Sequence, residues 1–346
     1  VTAVPLRSVR LGPVSFRLRP RVLAVCLALS AVVVAALVVC LTVGDYSITL
    51  ENVLAALAGR GKRLDRFFVR EVRLPRALTA VLVGAALGTA GAVFQSLSRN
   101  PLGSPDIIGF TSGASTGAVL TILVFGGGML STALGAMLGG VGTAALVYLL
   151  ALRQGVQGYR LVLVGIGVSA LLGSVTQYLI TRAELTDALS AQVWLIGTLN
   201  SREWSHVASV GVGSAVLIPV LLLLGGRLRL MEMGEDTARA LGVSAQRTQA
   251  LALVAASTLT GVAIAVSGPI AFVALAAPQL ARRLTRADGT TLTASALMGA
   301  ALLLCSDLAA LRLLAPVQLP VGVVTTVVGG TYLVWLLYAE WRSGRA

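Results

Sequence analysis

Residues 21–43 read RVLAVCLALSAVVVAALVVCLTV, and after Arg21 the next 22 positions carry no charge, no glycine and no proline. A helix rises about 1.5 Å per residue, so a run of this length reaches across the roughly 30 Å hydrocarbon core of a bilayer. The run is too long for the apolar segment of a signal peptide, and no small-residue cleavage pattern follows it. It reads as a retained first membrane span.

Further runs of the same kind follow at 74–97, 108–126, 129–152, 160–181, 206–226, 248–267, 270–285, 290–311 and 320–338. Ten spans are therefore expected. The eighth is short and contains Pro269 and Pro278 at its edge and centre. The longest polar connections are 44–73, 182–205 and 227–247. Hydrophobic residues make up 56% of the 346 positions and charged ones 12%, about half the charge of an ordinary soluble domain. Only a protein whose waist is solvated by hydrocarbon can expose that much apolar surface. The expected fold class is all-α: a polytopic membrane protein with a basic inner N-terminus (1–20), a membrane domain (21–338) that includes an inner loop at 227–247, and an inner tail (339–346).

The formal charge of +13 comes from 27 basic and 14 acidic residues. A soluble protein so basic would suggest nucleic acid. Here the charges lie in short loops between apolar runs, where they set orientation instead. With the N-terminus inside, the inner segments hold 17 of the 27 basic residues, from Arg7, Arg10, Arg17, Arg19 and Arg21 to Arg342 and Arg345. Both termini then lie inside. Seven of the remaining ten fall between Arg60 and Arg76. That outer basic loop is either a tolerated amphipathic segment or a surface that receives an acidic partner.

Enzyme chemistry has little to work with. There is one histidine, His206; Cys26, Cys40 and Cys305 lie singly in apolar runs, which marks them as packing. No G-x-x-x-x-G-K-[ST] loop exists to cradle nucleotide phosphates. Asp307 is the one acid well inside an expected span, against the several that a proton relay requires.

Four groups of residues stand out. Gly109, Gly113 and Gly117 form a small-residue ridge, as do Gly84 with Gly88 and Gly135 with Gly139; such ridges allow close helix packing in lipid. Gly165 and Gly167 add a fourth such site, and all of these could instead border a route for a bulky solute. Arg73-Leu-Pro-Arg76 opens the second span, with its two arginines on one helix face. They read either as interfacial anchors or as a site for carboxylates. In the inner loop, Glu235, Asp236, Thr237, Arg239 and Leu241 form a short helix ended by Gly242. Alone it is too short to persist, so it needs a partner surface.

These segments resemble the FecCD family, the permeases of iron-siderophore, haem and vitamin B12 ABC importers. The likeness lies in Arg73-Leu-Pro-Arg76, Val83-Gly84-Ala85-Ala86-Leu87, Gly91-Ala92-Val93-Phe94-Gln95, Asn100-Pro101-Leu102, Gly109 through Ala114, Gly234 through Gly242, Gly268 through Val273 and Leu319 through Thr325. It runs in order from about residue 70 to 338. The resemblance implies two permease chains, two cytoplasmic ATPases that bind ATP and Mg, and an external siderophore-binding protein, in a bacterial plasma membrane. This chain would bind no cofactor or metal itself. The helix around 235–241 is then similar to the family's coupling helix, and Arg73 and Arg76 to its external docking arginines. A third such arginine usually stands four residues after the aspartate matching Asp307. Here that position is Leu311, and Arg312 follows it, about 100° further round the helix. Pro278-Gln279 stands where the family tends to have Pro-His. The basic stretch 7–22 with Phe16 resembles the second permease of catecholate-siderophore systems, which implies a heterodimer with a paralogous chain. A ferric siderophore is the expected cargo. Vitamin B12 or haem would be the alternative within the class, and an ion-driven secondary transporter the alternative outside it.

Overall fold

The computed structural model describes residues 7–11, 14–151, 158–287, 289–315 and 317–342. Arg153 and Arg345, two of the expected inner cations, lie outside them, as does the end of the expected tail. The membrane helices are α1 (Pro20–Thr42), α4 (Leu74–Ser98), α5 (Phe110–Phe125), α6 (Met129–Ala151), α7 (Gly158–Arg182), α9 (Trp204–Glu232), α11 (Ala245–Ser267), α12 (Val273–Thr285), α13 (Leu292–Arg312) and α14 (Val321–Arg342). Each coincides with an expected span. Seven are long and apolar enough to cross by length and composition alone, and α5 and α14 carry shorter apolar stretches. The tenth, α12, has 13 residues. It starts only after Phe272, which holds a left-handed backbone at φ +68°, so the chain enters this half-helix through the irregular stretch 268–272.

Three regions differ from expectation. The outer connection 44–73 is not a loop: it contains α2 (Leu50–Leu57), α3 (Arg63–Phe67) and a π-helical turn, Phe68–Arg73, that runs into α4. Likewise 182–205 contains the amphipathic α8 (Leu185–Ile196). The third difference lies ahead of the all-α membrane domain: β1 (Arg7–Leu11) and β2 (Val14–Leu18) pair antiparallel, with Val9 opposite Phe16 and Leu11 opposite Val14. Polar and apolar residues alternate with a period of two there, the strand period rather than the helical one.

Helix α4 forms the centre. Val83, Leu87 and Val93 on it are buried against Leu259 of α11 and Leu303 and Leu304 of α13. A methyl group on Gly84 or Gly88 would run into the backbone of Gly299 or Ser295 on α13, and one on Gly91 into Ala274 of α12. The three helices therefore touch along their main chains. A second group packs α5 against α6 in the same way, Gly113 and Gly117 facing Gly139 and Gly135. Phe110 joins the groups by filling the space over Gly140 and Gly261. Leu130, Leu138, Leu149, Leu171 and Leu223 lie exposed on the outside, as a surface solvated by lipid tails requires.

Candidate functional site

Three places carry polar or irregular structure that the packing alone does not need. The first is the inner end of α9. Gly234, at φ +121°, turns the chain into α10 (Glu235–Ala240). The helix closes with the Val243 amide donating to the Ala238 carbonyl (2.9 Å) and the Gly242 amide to the Arg239 carbonyl (2.9 Å). Gly242 at φ +80° supplies the left-handed step of this Schellman ending. Ala238 is the buried residue, packed with Met231, Val243 and Ala245. The rest faces outward: the Asp236 side chain is 99% exposed, Arg239 is 62% exposed and 3.3 Å from it, and Leu241 is 59% exposed. Thr237 is exposed as well, whereas the Glu235 side chain lies outside the described atoms. A six-residue helix in which Ala238 alone is buried among the described side chains is a platform held out from the bundle.

What holds that platform was not visible in the sequence. Glu232, the last residue of α9, accepts a hydrogen bond from Ser96 of α4 (2.8 Å) and another from Thr290 in the α12–α13 connection. Arg99 donates to the Met231 carbonyl at 3.2 Å. One turn away, Gln95 donates to the Leu275 carbonyl (3.0 Å) and Gln279 to the Pro101 carbonyl (2.6 Å). So Gln279, at the position where the family tends to have histidine, acts as a neutral donor that ties α12 to the α4–α5 connection.

The second place is the outer end of α4. Arg76 does not stand free. Its Nε and Nη2 donate to both carboxylate oxygens of Asp307, at 2.9 and 2.8 Å, and the two side chains are 13% and 2% exposed. This corrects the expectation of an exposed Arg73–Arg76 pair on one face, because Arg76 is spent on a buried ion pair. Arg73 turns the other way, donating to the Leu41 carbonyl (2.7 Å) and to that of Tyr46. Arg312 comes to it: both guanidinium groups crowd Gly44, and Arg312 reaches Asp45 at 3.4 Å. The offset from Leu311 to Arg312 thus places a second cation beside Arg73. Nearby, Arg202 donates to the Thr198 carbonyl (3.2 Å) and lies 3.2 Å from His206 Nε2. Burial, then the Arg76 charge, holds Arg202 below the ordinary arginine range. Tyr46 donates to Asp65 (2.8 Å), and this bond pushes its hydroxyl up.

The third place is an open groove of about 660 Å³ between α5, α8 and α14. Its apolar wall includes Leu195, Ile196 and Val323; its polar wall is Thr111, Ser112, Ser115, Thr326 and Asp106. Asp106 sits on the short 3₁₀ turn Pro105–Ile108, between spans, and accepts from Thr111. Its side chain is exposed to the groove. The protein mass packed around the turn pushes its carboxyl up, against the opposing hydroxyls of Thr111 and Ser104. Above the groove, the ends of three helices meet at glycines. The Gly322 amide donates to the Gly197 carbonyl (3.2 Å) and the Thr198 amide to that of Ser267 (2.8 Å), with Gly268 against Trp194. The glycines that read as packing or pathway positions lie away from this groove. Gly113 and Gly117 are consumed in α5–α6 packing, and Gly109 caps α5 at φ +75° beside the carbonyl of the buried Gly165. Gly167 faces open space, as does Gly142, in a cleft of about 430 Å³ between α6 and α7.

The model of the FecCD transport family matches residues 32–339. The ferric enterobactin transport system permease protein FepG of Escherichia coli (strain K12) is 46% identical over 323 residues, covering 93% of this chain and 98% of that protein. The iron(3+)-hydroxamate import system permease protein FhuG of Bacillus subtilis (strain 168) is 35% identical, over 86% and 91%. Among solved structures, an inward-facing metal-chelate type ABC transporter superposes with a TM-score of 0.82 at 30% identity, over 91% of this chain and 99% of that one. The chain is a multi-pass inner-membrane protein and belongs to the FecCD transport family of ABC importer permeases.

Proposed function

We propose that this chain is one half of the membrane passage of an ATP-driven importer for a ferric siderophore of the catecholate type. The observation that carries the reading is the end-to-end similarity to a ferric enterobactin permease. The exposed α10 fits it: a helix that buries one alanine needs a partner, and a cytoplasmic ATPase supplies the cleft. ATP and Mg bind to that subunit, since no phosphate-binding loop exists in this sequence. The groove between α5, α8 and α14 forms the passage when a second, paralogous permease faces it. Hydroxyls and aliphatic side chains suit a large chelate that must slide rather than bind. Arg73 and Arg312 face the external binding protein, where guanidinium groups meet carboxylates. The permease performs no covalent chemistry.

The test is uptake of radiolabelled iron in cells lacking the chain. Ferric enterobactin uptake should be lost and restored by the gene, whereas uptake of a ferric hydroxamate should stay unchanged. The reverse pattern would reassign the cargo and leave the machinery as described.

A further inference from the structure

We infer that Glu232 is a positioning residue for energy coupling: its carboxylate fastens the base of α10 to α4, so that displacement of α10 moves the centre of the bundle. The inference rests on the importer reading above and names a residue within it. Between Glu232 and Gly234 there is one residue, so α10 and the carboxylate cannot move far apart. The carboxylate accepts from two different elements, Ser96 on α4 and Thr290 before α13. Its second oxygen lies against Gly289, where an added methyl would meet it at 3.0 Å. A small polar pocket lined by Gln95, Ser96, Glu232, Arg282, Thr290 and Ser295 surrounds the junction, so hydroxyl and carboxylate meet in a part-buried site, where hydrogen bonds to a charged acceptor are strong.

Helix α4 has no slack to absorb a pull at this end. Gly84 and Gly88 lie on the α13 backbone, and Gly91 on that of α12. At the far end of the same helix, Arg76 grips Asp307 of α13. Packed main chains shift as a body rather than deform. A movement received by α10 therefore reaches the outer arginine cluster through one carboxylate and one rigid helix pair.

The experiment uses the complete complex in proteoliposomes with ferric enterobactin as the probe, and measures cargo moved per ATP hydrolysed. Glu232→Ala should keep the ATPase bound and basal hydrolysis near wild type, yet lose about tenfold in cargo per ATP, the scale of typical coupling free energies. Glu232→Gln, which retains an acceptor oxygen for both hydroxyls, should recover part of the loss. Should Glu232→Ala fail to assemble, the S96A/T290V double variant decides, and the same loss is expected of it. Wild-type cargo per ATP in Glu232→Ala, or in the double variant, would overturn the inference. A wild-type complex that hydrolyses ATP without moving the chelate would instead overturn the importer reading itself.

Discussion

Arg76 and Asp307 lie 231 positions apart in the chain and face each other as a two-bond ion pair across α4 and α13, with both side chains almost wholly buried. Removing one member leaves an uncompensated charge in a low-dielectric site. Asp307→Ala should therefore cost about 3–5 kcal/mol of stability, and a double replacement by apolar residues of similar volume should recover most of it. Thermal unfolding in detergent checks both. Arg76→Gln should lower the midpoint too, with little change in affinity for the binding protein.

Arg73 and Arg312 are the outer cations that the proposed docking site uses. Their joint reversal to glutamate should weaken binding-protein affinity by about tenfold at low ionic strength, which is about 1.4 kcal/mol. The difference should shrink as salt screens the surface. Equal affinities at low salt would make these residues membrane anchors.

Glycine positions separate into two classes. Gly84→Ala should destabilise by about 1–3 kcal/mol, the usual cost of overpacking, because the new methyl meets the Gly299 backbone. Gly167→Ala meets nothing within 4 Å, and should be neutral or stabilising by up to about 1 kcal/mol through helix propensity. Unfolding of the two purified variants side by side gives the contrast.

Replacing the exposed Asp236 and Arg239 together by alanine should leave stability within about 0.5 kcal/mol. ATPase co-purification or transport should fall nonetheless, because the platform loses its polar face. Wild-type values for both would place the docking surface elsewhere.

Local signals were legible in the sequence and distant pairings were not. Ten apolar runs announced ten helices because each span satisfies its own backbone. Helix α10 was readable because Gly234 and Gly242 act within a few residues of it. Helix α8 was hidden: its exposed stripe of Leu185, Leu189 and Val193 is interrupted by polar residues and reads as a loop. The partners of Arg76 and Glu232 lie 231 and 136 positions away, and no periodicity reports such contacts. The available hint for Glu232 was an acid set between Met231 and Met233 at a helix end, where a cation is the ordinary choice.

The account stands on a division of labour: this chain shapes the passage, and a nucleotide-binding companion drives it through α10. Proteoliposomes holding the permease pair with or without the ATPase subunits, supplied with loaded binding protein, measure this directly. Uphill accumulation of the ferric chelate should require both ATP and the ATPase. Accumulation by the permease chains alone, driven by a proton or sodium gradient, would contradict it.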